Sequence, residues 1–215
     1  HALNNVGTAR LQKGDVVLGR EQLGRSLEMA LRDDAQEHAA RAYTNLGATP
    51  VIVRRYDEAE QALRTGVAYC ADHDLDSWRL YMSSCLARVY LERGQHAKAH
   101  SLAADVLRHR HLSPITTIVA SVVVTQIDLR AGRPDNARLD TALELAEVTG
   151  EAQRLVPVAL ARAEAAWLDD RIDDIEVEVD RVWAGALRER QGWVLGELAW
   201  WLRVAGVPAR ELPVA

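Results

Sequence analysis

Four histidines are the first residues whose spacing could do chemistry. His96 and His100 stand four apart, on one face of any helix that carries them, and His109 and His111 follow two turns later. A His-x3-His pair can hold zinc, but a site needs a third ligand and a converging geometry. His96 falls at the turn-packing position of its segment, which favours a structural role. Cys70-x2-His73 with distant Cys85 is a thinner version of the same pattern. A second cluster is acidic: Asp169, Asp170, Asp173, Asp174, Glu176, Glu178 and Asp180. Paired carboxylates serve acid–base catalysis when their surroundings separate their proton affinities. Here they crowd a turn and the first turns of a helix, where negative charge suits the positive end of the helix dipole. A solvated helix start accounts for them. No Gly-x-Ser-x-Gly nucleophile elbow is present. Nor is there a Gly-x4-Gly-Lys-Ser/Thr phosphate loop, since GTARLQKGD (7–15) lacks the spacing and a strand before it. No catalytic residue and no metal site is expected.

The elements that would position such residues form a repeat. Tyr43-x2-Leu46-Gly47 followed by Tyr56-x2-Ala59-x3-Leu63 returns in weaker form along the chain. Taking the turn after each first helix, the marks fall at Gly14, Arg54, Gly94, Gly132, Asp169 and Gly206, with spacings of 40, 40, 38, 37 and 37 residues. Such a period means stacked helical hairpins, none of which can bury its apolar face alone. The hairpins read as Ala2–Lys13 with Val17–Leu31; His38–Val53 with a second helix entered through RRYDEAEQAL (54–63) and closed by Ala71–Asp74; Asp76–Arg93 with His96–His109; Ile115–Ala131 with Asp135–Val148; and Ala152–Leu168 with Ile172–Arg190. A lone helix over Gly192–Val204 closes the series. Residues 175–180, IEVEVD, alternate like a strand, yet Ile175, Val179, Val182 and Ala186 share one helical stripe and the repeat frame decides for helix. Gly14-Asp15 is a turn in which Asp15 should cap the next helix, and Ser113 should cap the helix begun by Pro114. Pro50, near the end of its helix, should kink it or end it near Ala48.

Composition agrees with a helical, binding-type domain. Of 215 residues 48% are hydrophobic and 27% charged, with no Phe. The formal charge of −5 gives no global basic field to attract nucleic acid or an anionic membrane, and no apolar run is long enough to span a bilayer. Two cysteines, Cys70 and Cys85, are too few for a disulfide framework and read as buried thiols in a reducing cytoplasm. The chain opens on His1 with helical pattern almost at once, so a piece of a longer multidomain protein is expected.

Leu46-Gly47, Ala59 and Leu63, with Val6-Gly7 and Leu23, and Leu86-Ala87, Tyr90 and Ala99, fall where the tetratricopeptide repeat has its signature small and large residues. The segments RAYTNLG (41–47), RRYDEAE (54–60), DLDSWRLYM (74–82) and ARAEAAWL (161–168) resemble the helical-repeat region of large bacterial ATP-binding transcriptional regulators of the LuxR/MalT-like type. The resemblance implies an all-α, right-handed α-α superhelix of about five hairpins plus a terminal helix, one tetratricopeptide-like domain over 1–215. It implies that the first helix of each hairpin lines a groove, placing Asn4, Thr8, Thr44, Tyr81, Ser84, Arg88, Gln126, Arg130, Trp167, Trp193 and Trp200 toward it. Arg88 and Arg130 could hold a carboxylate or pair with a neighbour such as Glu92. The tryptophans could form a stacking wall or simply terminal core.

The function implied is non-enzymatic: binding of a protein segment, peptide or small inducer, and self-association, as the cytoplasmic sensor module of such a regulator. No cofactor belongs to this segment, since ATP and DNA would be handled by an upstream nucleotide-binding domain and a distant helix-turn-helix. A stand-alone adaptor bridging protein partners is the alternative.

Overall fold

Helix-forming stretches, many of them 17 residues long, alternate with short stops, most of three residues. The computed structural model describes residues 1–208 and Arg210, and among these all regular structure is helical. The chain divides into two units, His1–Thr116 and Thr117 onward. The first holds α1 (Ala2–Gln12), α2 (Val16–Arg32), α3 (Gln36–Ile52), α4 (Tyr56–Asp72), α5 (Asp76–Glu92) and α6 (His96–Leu107). The second takes up the chain within α7 (Pro114–Arg130) and continues through α8 (Asn136–Thr149), α9 (Ala152–Leu168), α10 (Ile172–Arg188) and α11 (Gly192–Val204). In the first unit each helix packs on the next, and α1 on α3 and α3 on α5. In the second, α8 packs on α9, α9 on α10, α10 on α11, and α9 also on α11. This is the all-α helical-repeat architecture expected, and IEVEVD lies inside α10.

A residue with positive φ stands at each stop. In the first unit these are Gly14, Asp34, Arg54, Asp74 and Gly94, each twenty positions after the last. The following residue then donates its N–H back to a carbonyl five residues earlier: Ala35 to Ala30 at 2.8 Å, Arg55 to Pro50 at 2.9 Å, Leu75 to Cys70 at 2.9 Å and Gln95 to Tyr90 at 2.8 Å. That bond defines the Schellman ending, which satisfies carbonyls the helix leaves unpaired. The second unit repeats it at Gly132, Asp170, Arg190 and Gly206. The left-handed residue of the fifth repeat is therefore Asp170, not Asp169, whose φ is −91°. Asp15 does not cap α2 with its side chain as expected; its carboxylate lies 3.5 Å from Arg10 instead. Ser113 does serve α7, accepting from the Thr116 N–H at 3.3 Å.

Left-handed backbone costs an ordinary residue roughly 1–2 kcal/mol, and glycine returns part of that gain as unfolded-state entropy. Arg190 is exposed at φ 52°. Arg190→Gly should therefore stabilise the chain by about 0.5–1 kcal/mol, read as a higher melting temperature.

Pro50 corrects another expectation. α3 runs on to Ile52 rather than ending near Ala48. The ring removes one donor only a turn from the helix end, where little ladder remains to lose. Pro50's own carbonyl accepts the Arg55 N–H and closes the turn. Elsewhere small residues set helix spacing. A Cβ on Gly47 would lie 2.6 Å from Leu63 side-chain carbons, and one on Gly66 would lie 2.6 Å from the Met82 sulfur. Leu23, Leu63, Met82 and Cys70 are fully buried in the first unit. In the second, Ile118, Val122 and Leu139 join α9 residues in one cluster, and Ile175, Leu198 and Leu202 anchor another.

A buried thiol and a half-buried phenol give the fold a pH limit. Burial, helped by Glu37, pushes the Cys70 thiol up from 9.0 to about 11. Burial and then Glu92, whose carboxylate accepts from the Tyr56 hydroxyl at 3.3 Å, push that phenol up from 10.0 to about 12. Both are raised, so the neutral forms stabilise the fold below the ordinary values, and that contribution is lost as pH climbs toward the folded ones. Stability should fall between about pH 9 and 12. Cys70→Ala should flatten the lower part of that fall in pH-dependent denaturant melts.

Candidate functional site

The odd-numbered helices carry most of the polar residues that pair from one hairpin to the next. In the first unit, α1 and α3 are joined by side chains. Arg41 Nη2 donates to Asn5 Oδ1 at 3.1 Å, Arg41 Nη1 meets His1 Nδ1 at 3.0 Å, and Asn45 Nδ2 donates to Asn4 Oδ1 at 2.6 Å. Asn4 is 2% exposed, and its Nδ2 makes no hydrogen bond among the described residues. Trp78 on α5 donates its indole N–H to Glu37 on α3. The hydroxyls of Thr8, Thr44 and Ser84 are turned back on their own helices, to the carbonyls of Asn4, Ala40 and Tyr81. Arg88 pairs with Glu92 one turn away, at 2.5 Å.

The second unit places its strongest polar junction between α7 and α9. Glu164, 9% exposed, accepts from Gln126 Nε2 at 2.9 Å and from Arg130 through Nε at 2.5 Å and Nη2 at 3.0 Å. A guanidinium fork on a carboxylate is the geometry that fixes orientation as well as energy. One turn beyond Glu164 stands Trp167, whose ring meets the edge of Trp201 at 6.4 Å, and Trp200 meets Trp201 at 4.6 Å. Trp201 is buried, while Trp167 and Trp200 are about half exposed and Trp193, at the start of α11, is 60% exposed. Aromatic rings of this kind, anchored on a buried neighbour, present rigid contact area at low entropic cost.

Of the residues expected to line a groove, the structure brings Gln126 and Arg130 together on Glu164, and Trp167 and Trp200 together on Trp201. Asn4, Thr44, Tyr81, Ser84 and Gln126 are buried. The more accessible members are Thr8, Arg88, Arg130 and the three tryptophans. Sequence reasoning missed Glu164, Asn45 and Arg41. A signal for Glu164 existed: it stands 38 residues after Gln126, one repeat, so those two share a position on successive first helices, with Arg130 one turn beyond Gln126. Across α8, α9 and α10, Arg162 binds Asp140 and Glu178, and Arg181 binds Glu147 and Glu178.

No protein-family model, curated protein or solved structure matches the chain. Among the described residues no group of three or more His, Cys, Asp or Glu could hold a metal, and no helix is long and apolar enough to cross a membrane. Several carboxylates of the acidic cluster are engaged by arginines: Arg171 pairs with Asp169 and Asp174, and Arg210 with Glu176 and Asp180. Cys70 and Cys85 are both buried.

Proposed function

We propose that this chain is a non-enzymatic binding scaffold, the sensor and self-association module of a bacterial, cytoplasmic, ATP-dependent transcriptional regulator that recognises a protein segment or small inducer. The observation that carries the binding reading is the half-exposed Trp167 and Trp200 pair, anchored on buried Trp201 beside the Arg130–Glu164 junction. Aromatic and arginine side chains of that kind concentrate binding energy in recognition surfaces. Consecutive helix pairs support it further, because stacked hairpins present long surfaces for partners. The regulator reading rests on the resemblance of the four segments to LuxR/MalT-like repeats; nucleotide and DNA binding would belong to other regions of the parent protein.

The test is the native reading frame. Its product should hydrolyse ATP and bind DNA, with Trp200→Ala weakening inducer- or partner-dependent activation while leaving basal ATP hydrolysis intact. A product with neither activity would overturn the regulator reading and leave an adaptor.

A further inference from the structure

A groove in the first unit lies apart from the surfaces above. It runs between the first half of α5 and the last turns of α6 and encloses about 500 Å³, a size typical of small-molecule sites. Leu80 and Val106, both buried, and Leu102 give it an apolar floor. Arg79, Arg108 and His109 line its rim against a single carboxylate, Asp105. Arg79 and Ser83 stand one helical turn apart and so face the same side.

Both arginines are held in ion pairs that are easily exchanged. Arg79 donates Nε and Nη2 to Asp76 Oδ1 at 2.9 and 2.7 Å, but the Asp76 side chain is 72% exposed. Arg108 donates to Asp105, and its own side chain is 72% exposed. Exposed pairs of this kind contribute little to stability, so a bound anion can take them over. Ser83 adds the second element. It is 5% exposed, and unlike Ser84, whose hydroxyl goes to the Tyr81 carbonyl, it makes no hydrogen bond among the described residues. Its oxygen is not one of the sealed polar atoms that lack a partner, so it opens onto the groove.

We propose that this groove binds a small organic anion, one carboxylate or phosphate head on a short apolar body. The head accepts from Arg79, Arg108 and the Ser83 hydroxyl, and the body lies on Leu80, Leu102 and Val106. The proposal stands independently of the tryptophan surface. Hexanoate and hexyl phosphate, titrated into the full chain and followed by amide chemical shifts and calorimetry, distinguish the two heads; 1-hexanol is the uncharged control. At least one anion should saturate at concentrations where hexanol does not. Arg79→Gln should weaken it roughly tenfold, the loss of a charged hydrogen bond, and Ser83→Ala about threefold. Asp105→Asn should tighten it by removing the competing carboxylate. Arg108→Gln, at an exposed position, decides the matter should Arg79→Gln fail to fold by circular dichroism. Hexanol binding as tightly as the anions, neither anion saturating, or affinities unmoved by the arginine variants would each overturn the proposal.

Discussion

Glu164→Ala should destabilise the chain by about 2–3 kcal/mol, seen as a lower denaturant midpoint with an unchanged slope. Glu164 is almost fully buried and accepts three hydrogen bonds, two of them from a guanidinium. Truncation takes that acceptor from the Gln126 amide, on a residue 6% exposed. The Arg130 side chain is 42% exposed and can turn to water, which keeps the loss below the ~3–5 kcal/mol of a fully enclosed pair. Glu164→Gln, which keeps the volume and one carbonyl acceptor, should lose only about 1 kcal/mol. A cycle with Arg130→Gln should return a coupling of about 1–2 kcal/mol. Additive single effects would show the junction to be a crowded surface with no energetic link between α7 and α9.

Gly19→Ala and Gly24→Ala, five residues apart on α2, should move stability in opposite directions. At Gly19 a methyl would meet the Gly7 carbonyl oxygen, the Leu11 amide nitrogen and Leu11 Cγ, each at 2.9 Å. Two of those atoms are backbone, so the α1–α2 crossing itself must open. The packing penalty of about 2–4 kcal/mol exceeds the ~1 kcal/mol that alanine gains in helix propensity, leaving a net loss of about 1–3 kcal/mol. At Gly24 nothing lies within 4 Å, so the same substitution should stabilise by about 0.5–1 kcal/mol. Thermal melts of the two variants side by side check both signs. Equal effects would mean that α1 is not seated on α2 as described.

Most of the helix frame was legible in the sequence because its punctuation is chemical. Gly14, Gly94, Gly132 and Gly206 announce left-handed stops, and the 40-residue spacing carries the frame to Arg54, where no glycine marks it. At Asp169-Asp170 either residue tolerates the left-handed region, and sequence could not choose between them. The early end expected at Pro50 did not follow, because near a helix end the lost bond matters little. The site was less legible. Gln126 and Arg130 were singled out through the tetratricopeptide pattern, but that Arg130 is spent on Glu164 depends on which rotation each helix takes against its neighbour. The partial exposure of Trp167 and Trp200 likewise depends on what packs over α9 and α11, which no local pattern encodes. The α5–α6 groove left no mark in the sequence, since the spacing of Arg79, Ser83 and Arg108 carries no motif that would single them out.

The even interval between stops has a consequence for how such a gene can change. From Gly14 to Gly94 each left-handed residue lies the same distance from the last, and each is followed by the same backward hydrogen bond. An in-frame duplication reaching from one stop to the next but one inserts a down-and-up pair whose ends already match its neighbours. Duplicating from one stop to the very next reverses the direction of every helix beyond it. Recombination is thus filtered by parity: even numbers of helices are inherited as working extensions, and odd numbers are eliminated as misfolded chains.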